Sequence, residues 1–347
     1  MIVEDSLVVR QLLSHIVRRD LRFELAAAVA TAEEALAELD RVRPDVISMD
    51  IRLPGMDGLE ATRQIMSTRP TPIVVIADAV QDYALKISMN ALRAGALSVV
   101  EKPVGLGSGD YERVAETITT QLFIMSSVPV IRRRNIAATA AAASARLQTP
   151  PKDPPLSALS CLALAASTGG PPALAKVLSA LSGKFPAPIF IVQHMGAAFM
   201  EGFAQWLDGL APMTVRLAEH DLVAEPGVAY VAPGDRHLAV GGGGRMTLSN
   251  AAPVGGQRPS ANVLFNSLAQ SAGARAMGVL LTGMGQDGAS GLLEMRKAGS
   301  YTIAEDESTA VVFGMPAAAA KLKAAREILP LEAIGPRIAL LAQRVRA

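Results

Sequence analysis

The chain runs to 347 residues, half of them apolar, which leaves room for two domains with sizeable cores. With 33 basic against 32 acidic residues, the net charge of +1 gives no electrostatic footprint for nucleic acid, and a single cysteine excludes an intrachain disulfide framework. No apolar run is long enough to span a membrane and no charged-then-apolar leader follows Met1, so a reducing cytoplasm is the expected setting. Eight Phe, four Tyr and one Trp leave the cores to aliphatic side chains and alanine.

Through the first half, apolar runs alternate with amphipathic helical patterns, the signature of a parallel sheet wrapped by helices. Ile2-Val3 ends at Glu4-Asp5, Asp45-Val-Ile-Ser-Met49 at Asp50, Pro72-Ile-Val-Val-Ile76 at Ala77, and Leu97-Ser-Val-Val100 at Glu101-Lys102-Pro103. Carboxylates gathered at strand ends repel one another unless a cation sits between them, and open oxygen ligation suits Mg²⁺. A lysine beside them would balance a phosphoryl group. Taken singly, each is also read as an ordinary polar residue where a strand meets solvent.

The set Glu4, Asp5, Asp50 and Lys102-Pro103, with Asp50-Ile-Arg-Leu-Pro-Gly-Met-Asp-Gly58, resembles the response-regulator receiver domain over residues 1–123. The resemblance implies a flavodoxin-like five-stranded parallel domain in which Asp50 accepts a phosphoryl group from a histidine kinase. It implies that Asp5, Asp50 and the carbonyl of Arg52 hold Mg²⁺, that Glu4 assists through water, and that Lys102 contacts the phosphoryl oxygens. Ala77 stands where receivers carry a serine or threonine, and Val99 where they carry an aromatic switch residue. Asp78 next along would repel a phosphate. The first strand is short, Met1 to Val3, which reads as a weakened central strand or a misassigned start. Phosphorylation chemistry is therefore expected to survive with blunted coupling to conformation.

Residues 124–157 read as a linker: Arg132-Arg-Arg134, the alanine run Ala137 to Ala143, and Pro150-Pro-Lys-Asp-Pro-Pro155 follow neither strand nor helix spacing for long. The arginine triplet reads as a solvated helix end.

From 158 to 347 strands and helices alternate again. Cys161-Leu-Ala-Leu-Ala-Ala-Ser-Thr-Gly-Gly-Pro-Pro172 is an apolar strand, a glycine turn and a helix start at the proline pair. Ser167 thus sits at a strand's carboxyl end beside a helix N-terminus, where open α/β sheets place ligands. Pro188-Ile-Phe-Ile-Val-Gln-His194 precedes a helix over Ala197 to Leu210. Ala276-Met-Gly-Val-Leu-Leu-Thr-Gly-Met-Gly-Gln-Asp287 precedes another over Gly291 to Lys297. Parallel strands bring this serine, histidine and aspartate to one sheet edge. Between them, Arg236 to Val240 and Met246 to Leu248 flank Gly241-Gly-Gly-Gly-Arg245 as a β-hairpin.

Ester hydrolysis needs a nucleophile, a base, a group that orients the base, and donors for an oxyanion. Ser167, His194 and Asp287 fit the first three roles, and backbone N–H groups near Thr168 and Met284 the fourth. The residues alone leave plainer roles open: His194 as a satisfied interior histidine, Asp287 capping the helix after it, Ser167 capping the helix at Pro171. His15 falls in a first helix, His220 in a polar loop, and His237 in a structural turn beside Asp235 and Arg236.

Ala165-Ala-Ser-Thr-Gly-Gly170, Ile191-Val-Gln-His-Met195, Tyr230-Val-Ala-Pro-Gly-Asp-Arg-His237, Arg258-Pro-Ser260, Leu281-Thr-Gly-Met-Gly-Gln-Asp-Gly288 and Val312-Phe-Gly-Met-Pro316 together resemble the catalytic domain of the chemotaxis protein-glutamate methylesterases, the CheB family. A receiver fused ahead of a doubly wound, mostly parallel α/β methylesterase domain is that family's arrangement. The resemblance implies hydrolysis of glutamate γ-methyl esters on chemoreceptor cytoplasmic helices, glutamine deamidation, and a receiver that covers the active-site edge until Asp50 is modified. It implies Ser167, His194 and Asp287 as the triad, with Thr168 and Met284 in the oxyanion region and no cofactor for hydrolysis. Asn262 and Met200 replace the family's usual aspartate and threonine. The partners implied are methyl-accepting chemoreceptors and a chemotaxis histidine kinase, with no nucleic acid and membrane proximity only through receptors. Competing readings are a receptor- or kinase-docked binding module, an esterase of another receptor pathway, and a nucleotide-binding enzyme, the last lacking a Gly-x-Gly-x-x-Gly spacing.

Overall fold

The computed structural model describes residues 1–77, 91, 94–103, 108–128 and 159–343. Asp78 and the expected linker features between Arg132 and Pro155 lie outside them. The chain forms two compact units, Met1–Arg134 and Asn135–Ala347.

In the first unit, β1 (Ile2–Val3), β2 (Ala28–Val29), β3 (Ile47–Met49), β4 (Ile73–Ala77) and β5 (Ser98–Glu101) form one parallel sheet in the order β2-β1-β3-β4-β5. That order is flavodoxin-like, with a reversal beside β1. Although β1 has two residues, it pairs with β2 on one side and β3 on the other, so its carboxyl end lies centrally. Among the described residues the helices are α1 (Leu7–Arg19), α2 (Ala32–Val42), α3 (Gly58–Thr68) and α4 (Ser108–Ser126). Ser6 starts α1 by accepting the Val9 N–H, and the helix buries Val9, Leu13, Ile16 and Val17 along one stripe. Asp57 starts α3 by accepting the Glu60 N–H at 2.7 Å.

The second unit has β6 (Cys161–Ala166), β7 (Ile189–Gln193), β8 (Thr214–Leu217), β9 (Val228–Val231), β12 (Ala276–Leu280), β13 (Tyr301–Glu305) and β14 (Glu327–Leu329) in the order β14-β13-β12-β6-β7-β9-β8. Every pairing in this sheet is parallel. The hairpin is a separate antiparallel pair, β10 (His237–Val240) with β11 (Met246–Ser249). His237 is therefore the first residue of a strand, not part of a turn. The helices are α5 (Gly170–Ser179), α6 (Met200–Asp208), α7 (Ala261–Ser271), α8 (Ala289–Lys297), α9 (Met315–Lys321) and α10 (Leu331–Gln343).

Strands β6, β7, β12 and β13 are buried at every position, which is why β6, β12 and β7 up to Val192 read as continuous apolar runs instead of alternating ones. The first unit's buried core is aliphatic among the described residues, whereas the second also buries Phe190, Phe199, Phe203, Tyr230 and Phe265 completely. Each such ring adds about 1.5–3 kcal/mol by its burial. From β6 the chain moves outward through β7 and later returns to β12 on β6's other side. The crevice between those carboxyl ends is a topological switch point, the usual ligand site of such sheets.

Candidate active site

Three adjacent strand ends supply the site. Ala166, the last residue of β6, is in register with Gln193, the last of β7, and the His194 N–H donates to the Ala166 carbonyl at 3.1 Å. On the other side the Ser167 N–H donates to the Thr282 carbonyl at 3.0 Å, just past β12. Gly169 turns the chain after Ser167 with φ of 76°, a conformation that glycine adopts without strain. At Gly283 a Cβ would lie 2.7 Å from the Ser167 Cβ, so the serine side chain rests on bare backbone.

His194 Nε2 and Asp287 Oδ2 are 2.9 Å apart, and both side chains are largely buried. The other imidazole nitrogen, Nδ1, is buried with no hydrogen-bond partner. That is not the condition of a satisfied interior histidine. Ser167 is half-buried, and its hydroxyl is in no hydrogen bond with the imidazole. The fold thus brings His194 and Asp287 into contact and sets Ser167 alongside without closing the last link. Nor does Ser167 cap α5, which starts at Gly169 with no side-chain bond.

Asp287 does cap a helix, but not the one after it. Its Oδ2 accepts the Ala261 N–H at 2.7 Å, and its Oδ1 accepts the Asn262 N–H at 3.2 Å and the Ser260 hydroxyl at 2.7 Å. The first turn of α7 is therefore capped by a carboxylate from another segment. Burial works against ionisation, yet the bonds from His194, Ser260 and Ala261 hold Asp287 below the usual carboxylate value.

Two more residues brace these strand ends, neither singled out by the sequence patterns. The Gln193 side chain, 1 % exposed, donates from Nε2 to the carbonyls of Ser167 at 2.8 Å and His194 at 3.0 Å, tying the two main chains together. Glu305, wholly buried at the end of β13, accepts the Thr282 N–H at 2.8 Å and the Thr309 hydroxyl at 3.1 Å. Thr282 in turn donates its hydroxyl to the Thr168 carbonyl at 2.9 Å and accepts the Val312 N–H at 2.9 Å. Burial pushes Glu305 up to about 7, helped by the charges of Glu332 and Asp306, against its two hydrogen bonds. Thr168 is buried, whereas Met284 is 49 % exposed at the rim.

In the first unit, Glu4, Asp5 and Asp50 bring carboxylate oxygens within 4.8 Å of one another at the ends of β1 and β3. Lys102 Nζ donates to Asp50 Oδ2 at 2.8 Å and Glu4 Oε1 at 3.1 Å, and Asp50 Oδ1 accepts the Arg52 N–H at 3.3 Å. Glu4 Oε2, also buried, lies 3.0 Å from the same Lys102 ammonium as an ion pair. Burial and the neighbouring Asp50 raise Glu4 to about 6, with Lys102 opposing. Burial likewise raises Asp50. Ala77 is buried at the end of β4, and its carbonyl accepts the Lys102 N–H at 3.0 Å.

The comparisons with known proteins agree with this geometry. A family model described as CheB methylesterase matches residues 162–338, and one described as response regulator receiver domain matches residues 1–108. A protein-glutamate methylesterase/protein-glutamine glutaminase of Paramagnetospirillum magneticum is 51 % identical over 99 % of this chain and 97 % of its own length. One from Anaeromyxobacter dehalogenans is 43 % identical over 99 % of each. The crystal structure of the Thermotoga maritima CheB methylesterase catalytic domain, 34 % identical, superposes with a TM-score of 0.51 over 52 % of this chain and 98 % of that one. No helix among the described residues is long and apolar enough to cross a membrane. With its receiver domain ahead of its methylesterase domain, the chain belongs to the CheB methylesterase family.

Proposed function

We propose that the second unit hydrolyses glutamate γ-methyl esters on the cytoplasmic helices of methyl-accepting chemoreceptors, releasing methanol, and deamidates receptor glutamines at the same site. The observation that carries this reading is the buried, partnerless Nδ1 of His194 beside Ser167, on an imidazole fixed through Nε2 by Asp287. An imidazole that donates Nε2–H to a carboxylate keeps Nδ1 as its basic nitrogen. Ser167 Oγ attacks the ester carbonyl carbon as its proton passes to Nδ1, once the serine side chain has turned toward the imidazole that Asp287 holds. The carbonyl π pair becomes an oxyanion facing the N–H groups of Thr168 and Met284, a contribution of about 2.7–4 kcal/mol per donor in other hydrolases. Collapse breaks the carbon–methoxy bond, and the departing oxygen takes the proton from Nδ1. Water, deprotonated at Nδ1, then attacks the acyl-enzyme and frees Ser167. Asp287, already held by α7 and Ser260, stays ionised and stabilises the imidazolium without taking its proton.

The first unit accepts a phosphoryl group on Asp50 from a chemotaxis histidine kinase. Glu4, Asp5, Asp50 and the Arg52 carbonyl fit Mg²⁺, because three carboxylates crowd within 4.8 Å of one another and, when ionised, outnumber the single Lys102 ammonium that contacts Glu4 and Asp50. When bound, the ion offsets the charge of the phosphoryl oxygens. Lys102 is positioned to exchange its Asp50 and Glu4 contacts for those oxygens. Ala77 offers a methyl where a hydroxyl would hold the phosphate, and Val99 a small buried side chain where a ring would turn, so coupling to the methylesterase is weak. Residues 1–123, 124–157 and 158–347 serve as receiver, linker and catalytic domain of a cytoplasmic protein that meets the membrane only through receptors.

The test is methanol release from methylated receptor membranes, with and without a small-molecule phosphodonor. Release that Ser167→Ala abolishes in a folded protein is expected. No release by the intact protein, or full activity in Ser167→Ala, overturns the reading.

A further inference from the structure

Ser260 occupies the capping position of α7 but does not cap it. Its hydroxyl turns instead to Asp287 Oδ1 at 2.7 Å, and its own N–H donates to His237 Nδ1 at 3.2 Å. His237 Nε2 lies 3.1 Å from the Ala252 carbonyl. A nitrogen that accepts an amide N–H carries no proton, and one beside a carbonyl must carry it, so the two neighbours fix a single neutral tautomer of His237. Ser260 is wholly buried and His237 is 1 % exposed, so water does not substitute for either contact.

We propose that Ser260, held in place by His237, is a positioning residue for the hydrolysis. It fixes the rotation of the Asp287 carboxylate, so that Oδ2 faces His194, and sets how strongly that carboxylate attracts the imidazole proton. This rests on the reading of Ser167, His194 and Asp287 as the relay. Without the hydroxyl, Oδ1 keeps only the longer Asn262 N–H bond, so the carboxylate is held chiefly through Oδ2 and can pivot about that oxygen. A carboxylate that loses a donor also becomes more basic, which raises the proton affinity of the imidazole it contacts.

The experiment is steady-state methanol release from methylated receptor membranes across pH by Ser260→Ala, His237→Asn and His237→Gln in the full chain. Folding is checked by circular dichroism. For Ser260→Ala we expect kcat to fall about ten- to a hundredfold with KM unchanged, the scale of losses when outer partners of a ligating group are removed. The acid limb of its kcat/KM profile should move to higher pH, which a purely structural lesion would not cause. Asn presents an amide oxygen at the level of Nδ1 and should retain most of the rate. Gln reaches only the Nε2 level and should behave like Ser260→Ala. Wild-type kcat and acid limb in folded Ser260→Ala overturn the proposal, as does equal damage from Asn and Gln at 237. Should Ser260→Ala not fold, the two His237 variants decide it by the same criterion. Full activity of Ser167→Ala would instead overturn the relay itself, and this proposal with it, a separate and recognisable failure.

Discussion

Asp287→Asn gives the sharpest prediction, because the surroundings of the carboxylate dictate which way an amide must sit. With its NH₂ at the Oδ2 place, the amide would oppose the Ala261 N–H at 2.7 Å and the His194 Nε2–H at 2.9 Å. With its NH₂ at the Oδ1 place, it opposes only the Asn262 N–H at 3.2 Å, while the Ser260 hydroxyl turns round to accept. The second orientation wins, so the amide oxygen stays toward His194 and the imidazole keeps its Nε2 proton. What is lost is charge: a hydrogen bond to a charged group is worth about 1.5–3 kcal/mol against about 0.5–1.5 kcal/mol for the neutral one that remains, a difference of about 1–1.5 kcal/mol, or roughly a five- to 13-fold fall in kcat. That is far milder than the roughly 10⁴-fold loss seen where an aspartate-to-asparagine change flips the tautomer. Stability should fall by about 1–3 kcal/mol for the opposed Asn262 N–H, plus up to about 1 kcal/mol for the lost charge at the α7 terminus. Methanol release gives kcat, urea unfolding gives stability, and nitrogen-15 shifts of His194 report the tautomer. A 10⁴-fold loss together with a proton on Nδ1 would refute the argument.

Gln193→Met keeps the length of the side chain but unties the carbonyls of Ser167 and His194; kcat should drop about tenfold at constant KM and stability by about 1–3 kcal/mol, the sum of two neutral bonds. A variant as fast as the parent in methanol release would show that the tie is dispensable. Glu305, raised to about 7 from an ordinary 4.5, adds stability that is complete below pH 4.5 and is lost as pH rises through 7. Glu305→Gln should therefore remove a pH-dependent loss of about 3 kcal/mol between pH 4.5 and 8 in denaturant unfolding of the second unit; parallel pH curves for the two proteins would count against it. Ala77→Thr should increase the stimulation of methanol release by a small-molecule phosphodonor, and equal stimulation of both proteins would contradict the weak-coupling reading. Asp50→Asn should remove whatever stimulation exists, measured the same way.

The strand ends were legible because buried parallel strands announce themselves as apolar runs, and the segment that follows each run starts at the carboxyl edge. The apolar run before Ser167 emerged as the strand Cys161–Ala166, His194 emerged in contact with Asp287, and Ser167 emerged at the neighbouring strand end without a bond to the imidazole. The bracing was not legible, since it consists of side chains reaching backbone or carboxylate groups far away in the chain. A signal was nonetheless present: Gln193 and Glu305 each follow apolar residues, Ile191-Val192 and Ile303-Ala304, at the end of a buried strand, and a polar group there must find partners. His237 was read as turn material because its neighbours are charged, yet strand alternation carries its ring inward to Ser260. The aspartate's helix lay 26 residues upstream, beyond the local spacing on which capping arguments depend.

Because α7 begins on the same carboxylate that steadies the imidazole, loosening of that helix's first turn and disabling of the base are a single event. Amide hydrogen exchange at Ala261 and Asn262 would then measure, in the resting protein, the fraction of molecules ready for turnover. A solvent or temperature that frays this turn would silence the enzyme while leaving the central strands, and Ser167 on them, in place.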